Sequence, residues 1–129
     1  MAEPSLSGFR IFIAEDEYLI ASDVREALTR AGAEVLGPVP SVEEAKALLA
    51  REEHIDAAVL DVNLRGDMVF AVAETLEARG VPVVFATGYD ADVMPERFAH
   101  MLRLEKPLQA RDLAEVLEPL LNRVPTGRS

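Results

Sequence analysis

Ala57-Ala58-Val59-Leu60-Asp61-Val62-Asn63 is the stretch on which the reading of this chain turns. Four consecutive apolar residues are too few for a buried helix. An unalternating run of this length fits a strand covered on both faces, as in the middle of a parallel sheet. The run ends abruptly on a carboxylate, Asp61. Working outward, the same pattern recurs. Phe9 to Ala14 is apolar apart from Arg10 and is followed by Glu15-Asp16-Glu17. Pro82 to Ala86 is apolar, with its proline at the strand start where a missing N–H does least harm, and Thr87-Gly88 comes next. Met101 to Leu104 forms a fifth such run, with Lys106-Pro107 just beyond it. Glu34-Val35-Leu36 is a short second strand cut by Gly37-Pro38.

Amphipathic stretches separate these runs. Leu19, Ile20, Val24, Ala27, Leu28 and Ala31 recur at helical spacing, and Gly32 suits the stop. Ser41 with Glu44 three residues later has the spacing of a capping box. It opens a helix that buries Val42, Ala45, Leu48 and Leu49. Asp67 to Arg79 reads as a helix with Val69, Val72, Ala73 and Leu76 inward, ended by Gly80. Residues 89–99 have weak periodicity and a central Pro95, which predicts a short or poorly ordered helix. Leu108 to Asn122 is the last helix, and Pro119 is expected to kink it or end it early. Five strand–helix pairs in order predict an α/β fold: a doubly wound, five-stranded parallel sheet with helices on both faces. One domain over residues 8–123 is expected, with flexible termini at 1–7 and 124–129.

Half of the 129 residues are hydrophobic, enough for a core, and the net charge is −10. Affinity for nucleic acid comes from Lys and Arg displacing counterions from phosphates, so a chain this acidic argues against that partner. No apolar run approaches the ~18 residues of a membrane span, and the N-terminus lacks the pattern of a signal peptide, so a cytoplasmic protein with no membrane partner is expected. The chain has no cysteine, which excludes disulfides, thiolate metal sites and cysteine nucleophiles. His54 and His100 are isolated and read as ordinary surface residues.

In a parallel sheet the ends of all the strands meet at one edge, where ligands bind in open α/β folds. Glu15, Asp16, Asp61, Thr87 and Lys106 therefore converge. Three clustered carboxylates repel one another, more so when buried, and need a cation. Carboxylate oxygens with water suit Mg²⁺, and the backbone oxygen of Asn63 can complete the set. Asp61, between such an ion and the Lys106 ammonium, is placed to attack phosphorus and to hold the acyl phosphate that results. The ion and Lys106 would neutralise the phosphoryl oxygens. Thr87 can donate to one of them, and Gly88 keeps the approach open.

An acidic pair after the first strand, Asp after the third, Thr after the fourth and Lys-Pro after the fifth together resemble the receiver domains of two-component response regulators, which have a flavodoxin-like fold. The resemblance spans about Phe9 to Arg123. It implies that Asp61 is the phosphoacceptor, that Asp16 and Asp61 bind Mg²⁺ directly, Glu15 through water and Asn63 through its main-chain oxygen, and that the Lys106–Pro107 bond is cis. It makes Thr87, Gly88, Tyr89, Arg103 and Pro107 the switch positions. Many receivers carry an aromatic ring three residues before the lysine, where this chain has Arg103, so ring-based switching is not expected. Phe85-Ala86-Thr87-Gly88-Tyr89 instead resembles a subgroup named for that motif, whose members commonly pair with a distinctive class of bacterial histidine kinases. Side chains at Asn63 and Tyr89 flank the water path and would tune the lifetime of the acyl phosphate. The implied function is that of a single-domain phosphoacceptor, not an enzyme. Its donor would be a histidine kinase or a histidine phosphotransfer protein. It would act by binding a downstream protein or as a phosphate sink. One alternative is a receiver-shaped interaction module that is never phosphorylated. The other is a small aspartyl-phosphate phosphatase of the haloacid dehalogenase kind. That class needs a second Asp where Asn63 stands, and its metal acids come after the nucleophile rather than before it.

Overall fold

The computed structural model of the chain describes residues 5–88, 94–106 and 109–122. The elements run β1 (Arg10–Ala14), α1 (Tyr18–Arg30), β2 (Glu34–Val39), α2 (Val42–Arg51), β3 (Ala57–Asp61), β4 (Asn63–Leu64), β5 (Asp67–Met68), α3 (Phe70–Ala78), β6 (Val83–Thr87), a 3₁₀ turn (Glu96–Phe98), β7 (Leu102–Glu105) and α4 (Ala110–Asn122). Five strands make one parallel sheet in the order β2-β1-β3-β6-β7. The expected fourth and fifth strands are β6 and β7. The order reverses at β1, so the switch point lies between β1 and β3, where an open α/β sheet leaves a crevice at its carboxyl edge.

Alternation along the strands builds a core on each face. Ile11, Ile13, Ala57, Val59 and Val84 pack with Val24 and Leu28 of α1 and Leu113 and Leu117 of α4. Phe12, Ala14, Ala58, Leu60 and Phe85 pack with Ala45, Leu48 and Leu49 of α2 and Val72, Ala73 and Leu76 of α3. Every residue of β3 and β6 is buried. Each full burial of a large apolar side chain there contributes ~1.5–3 kcal/mol, which fixes the register that presents Asp61 at the edge.

Several local expectations are corrected. The helix predicted from Asp67 begins at Phe70, because residues 63–68 fold as an antiparallel hairpin first. In α1 the buried stripe runs through Ala21, Val24 and Leu28, and Leu19 is exposed on another face. The second strand is not cut at Gly37-Pro38. It continues to Val39 through a register irregularity, pairing Phe12 with Leu36 and Ala14 with Val39. Gly37 makes that possible: its φ is +101°, and a Cβ there would sit 2.7 Å from the Ile13 carbonyl oxygen. As β2 is an edge strand, Pro38 is tolerated. Helix α4 runs through Pro119 to Asn122 rather than stopping early. Leu6, placed by the sequence in a loose N-terminus, is fully buried among α1 and α4 residues, and its N–H donates to the Ala31 carbonyl at 2.8 Å. Ser41 caps α2 as expected, its Oγ accepting from the Glu44 N–H at 3.1 Å, while the Glu44 carboxylate meets the Ser41 hydroxyl at 3.3 Å. Of the weak segment 89–99, residues 89–93 lie outside the described residues. The described part makes one 3₁₀ turn whose Phe98 is fully buried and stacks on Phe70 at a centroid distance of 5.5 Å. Among the described residues no helix is long and apolar enough to cross a membrane.

Candidate phosphoacceptor and cation site

Sheet register fixes the site before any side chain is considered. Ala14 lies opposite Leu60, so Glu15 and Asp16 leave β1 level with Asp61 on β3. Asp61 lies opposite Ala86, one residue before Thr87, and Thr87 lies opposite Glu105, one residue before Lys106. The Lys106 N–H donates to the Thr87 carbonyl at 2.7 Å, continuing the ladder past the last strand pair. The side chains then converge. Lys106 Nζ donates to Asp61 Oδ2 at 2.7 Å and stands 3.6 Å from Glu15 Oε1. Glu15, Asp16 and Asp61 each offer a carboxylate oxygen, and these atoms all lie within 4.8 Å of one another. Among the described residues Glu15, Asp61 and Thr87 are the buried polar ones, each no more than 5% exposed.

Such burial is costly for anions and favours the protonated carboxyls. Desolvation is the main cause that pushes the Glu15 carboxyl up to about 7. The Glu17 N–H opposes it, donating to Oε2 at 2.9 Å, and the neighbouring Asp61 charge adds to it. Asp61 is also raised, by desolvation first, although its hydrogen bond and charge pairing with Lys106 pull the other way. For Lys106, burial favours the neutral amine, but the hydrogen bond and charge of Asp61, with Glu15 and Glu17, outweigh it and raise the ammonium. One ammonium thus leaves two buried acids under-compensated, a need that a divalent cation meets.

The hairpin beside Asp61 completes the site. Arg65 and Gly66 form its two-residue turn with φ of +55° and +92°, the double positive sign of a type I′ turn. The Val69 N–H donates to the Val62 carbonyl, and by antiparallel alternation the next pair, Asn63 with Met68, is the one without ladder hydrogen bonds. The Asn63 N–H is therefore available to Asp61 Oδ1, which accepts it at 3.2 Å, and the Asn63 carbonyl is left unused by the ladder. The Arg65 N–H donates to Asp16 Oδ2 at 2.9 Å. Asn63 Oδ1 accepts from the Gly66 N–H at 2.7 Å, which turns that side chain into the turn. These main-chain contacts are invisible in the sequence, where Asn63 alone of the hairpin stands out. Oxygens from three carboxylates plus a free carbonyl suit a hard cation. Mg²⁺ holds its ligands at about 2.0–2.1 Å, so ligand atoms about 3–4 Å apart are wanted, within a small adjustment of the spread observed.

The remaining expected positions fall in three groups. Gly88 flanks the Lys106 stem, where an added Cβ would meet Lys106 Cδ at 3.9 Å, an ordinary contact. Arg103 is exposed on the edge strand β7. Tyr89 and Pro107, and with Pro107 the expected cis bond, lie outside the described residues. His54 and His100 sit away from the site, in exposed contacts with Asp56 and Glu77. A cleft of about 330 Å³ leads from Glu15 and Asp16 along α1, walled by Tyr18, Ser22, Arg25, Pro38, Pro40 and Arg65.

Residues 11–118 match the family model of the response regulator receiver domain. The chain belongs to that family. Receivers are signalling domains of two-component systems, a class phosphorylated by histidine kinases. A curated relative, the transcriptional regulatory protein PdtaR of Mycobacterium tuberculosis, is 33% identical over 118 residues, which is 88% of this chain. The matched region spans 57% of that protein's length. Among solved structures, SdrG from Sphingomonas melonis Fr1 is 41% identical with a TM-score of 0.75, covering 88% of this chain and 96% of SdrG. The BeF3-activated conformation of SdrG is 39% identical with a TM-score of 0.70, covering 94% of this chain and 99% of that one. A response regulator receiver protein from Sinorhizobium medicae WSM419 is 28% identical with a TM-score of 0.76, covering 92% of this chain and 98% of that one.

Proposed function

We propose that the receiver accepts a phosphoryl group on Asp61 from a phosphohistidine of a histidine kinase or phosphotransfer protein, with Mg²⁺ bound by Glu15, Asp16, Asp61 and the Asn63 carbonyl. The observation that carries the proposal is the pairing of Asp61 with Lys106 at 2.7 Å beside two further acids. In the transfer, the P–N bond of the donor breaks, a P–O bond to the Asp61 carboxylate forms, and the departing imidazole takes up a proton. The bound cation supplies positive charge for the phosphoryl oxygens. Lys106 supplies the fixed counterpart from the chain itself, and the Asn63 N–H holds the Asp61 carboxylate in place. Thr87, on the strand end next to Asp61, is the donor for a phosphoryl oxygen. Positioning and electrostatics of this kind are what phosphoryl transfer requires of a protein.

The likeness to SdrG, solved in a BeF3-activated conformation, supports the same reading. Output then passes through binding of a downstream protein, or the domain drains phosphate from its kinase. Arg103 replaces the usual ring on β7, so the signal is read from Thr87 and the segment after it. Incubation with acetyl phosphate and Mg²⁺, followed by intact mass measurement, tests the proposal. A phosphoryl adduct lost in Asp61→Asn is expected. An unmodified wild-type mass, or an adduct that survives the substitution, refutes it.

A further inference from the structure

β7 ends the sheet on one side, and no described strand lies beyond it. Leu102, Arg103 and Glu105, three of its four residues, are exposed. Among the described residues, the crossover leading to it holds only the 3₁₀ turn Glu96–Phe98, where a parallel connection usually carries a helix. The ladder shows which main-chain groups point outward. Glu105 lies opposite Thr87, and the next N–H, that of Lys106, donates to the Thr87 carbonyl at 2.7 Å. Alternate residues of a strand turn their N–H and C=O to the same side, so Leu104 and Lys106 face β6. Arg103 and Glu105 turn theirs to the outer edge. Charges on an edge strand usually prevent pairing. Here they select one pairing. An antiparallel contact between two copies that joins outward groups has its two-fold axis at Arg103, Leu104 or Glu105. An axis at Arg103 sets Arg against Arg. An axis at Glu105 sets Glu against Glu, and Arg103 against Pro107, which has no N–H. An axis at Leu104 sets Arg103 against Glu105 twice, with four main-chain hydrogen bonds. Leu104 then meets its own copy on the α1 and α4 face, and Leu102, 45% exposed, lies diagonal to it.

We propose that β7 is a self-association edge: a second copy of this chain pairs with it antiparallel, Arg103 against Glu105 about a two-fold axis at Leu104, so that one sheet runs through both copies. The strand is short and the contact small, so the dimer is weak and exchanges with monomer. The pairing uses main-chain groups and side chains of β7 alone. It requires neither a cation nor a phosphoryl group.

Sedimentation of the full chain in EDTA over a concentration series up to about 1 mM tests it, at physiological salt, where a Debye length of about 8 Å screens the long-range repulsion between two chains of net charge −10. A monomer–dimer equilibrium is expected. Arg103→Glu sets Glu against Glu twice, and Glu105→Arg sets Arg against Arg twice. Each should weaken dimerisation about tenfold, because two attractive cross-strand pairs become repulsive. Mixing the two variants restores both pairs and should give a heterodimer as tight as the wild-type dimer. The double reversal in one chain should self-associate like wild type, which serves as the test should either single variant lose its fold by circular dichroism. Amide hydrogen exchange locates the contact: the Arg103 and Glu105 amides should slow as concentration rises, while that of Leu104, already turned to β6, should not change. A wild-type chain that stays monomeric throughout overturns the proposal. So does a dimer that neither reversal weakens, a mixture that fails to recover it, or protection gained on another element and not at Arg103 and Glu105.

Discussion

Glu15 lets the electrostatic reading of the site be tested without any phosphodonor. Its carboxyl is raised from 4.5 to about 7, mainly by desolvation. Between those values the folded protein holds a proton that the unfolded chain has released, so raising the pH draws the equilibrium toward the unfolded state. Stability without metal therefore falls as pH rises from about 4.5 to 7 and levels off above. A displacement of that size corresponds to about 3 kcal/mol. Asp61, raised in the same direction, steepens the fall. Glu15→Gln keeps an oxygen for the Glu17 N–H but places no charge in the cluster. It should stabilise the metal-free protein by about 1–2 kcal/mol at pH 8, after the poorer contact of its amide with Lys106 is deducted, and by nothing measurable at pH 4.5. With Mg²⁺ the gap closes or reverses, because the wild-type carboxylate then has its cation. Urea unfolding by circular dichroism in EDTA and in Mg²⁺, from pH 4.5 to 8.5, measures all of this. A wild-type stability that is flat over that range in EDTA, or a Glu15→Gln protein with the same slope, refutes the claim that these acids are under-compensated.

Lys106→Met removes the ammonium that faces Asp61 at 2.7 Å and leaves a buried carboxylate unpaired. Acetyl phosphate labelling should drop at least tenfold, and at pH 8 in EDTA stability should fall by about 2–4 kcal/mol, with the deficit shrinking as the acids protonate. Gly37→Ala forces a Cβ to within 2.7 Å of the Ile13 carbonyl oxygen at a φ of +101°. A loss of about 2–3 kcal/mol is expected in urea melts, and a near-neutral result would contradict the packing of β2 on β1. Leu6→Ala should cost about 2–4 kcal/mol, as for other buried leucines, whereas a loose N-terminus would show no effect.

The sheet and its functional edge are legible in the sequence because both depend on apolar runs and on the polar residue that ends each run. Glu15, Asp16, Asp61, Thr87 and Lys106 each stand at a strand end, and the structure brings the three acids and Lys106 into contact range. The hairpin over residues 63–68 is not legible. Its turn is Arg65-Gly66, and the usual signal for a type I′ turn is Asn or Asp before Gly, so the segment reads as the start of the next helix. The continuation of β2 past Gly37-Pro38 is hidden for a related reason: the two residues that read as strand breakers are what an irregular edge pairing requires. Leu19 reads as core because a count of apolar residues ignores phase. The stripe through Ala21, Val24 and Leu28 leaves that side chain exposed.

A charge count explains why a divalent ion, and not a second lysine, suits this edge. Ionised Glu15, Asp16 and Asp61 against Lys106 leave the site two negative charges in excess, which a divalent ion cancels. Under the proposed phosphorylation the Asp61 carboxylate would become a group carrying about two negative charges, so the ion-bound site would go from neutral to a single excess charge, and without the ion that excess would be three. A second ammonium in place of the ion would leave an excess even before transfer. The raised Glu15 and Asp61 carboxyls agree with that count: burial that destabilises unpaired anions strengthens the attraction of the cluster for a cation.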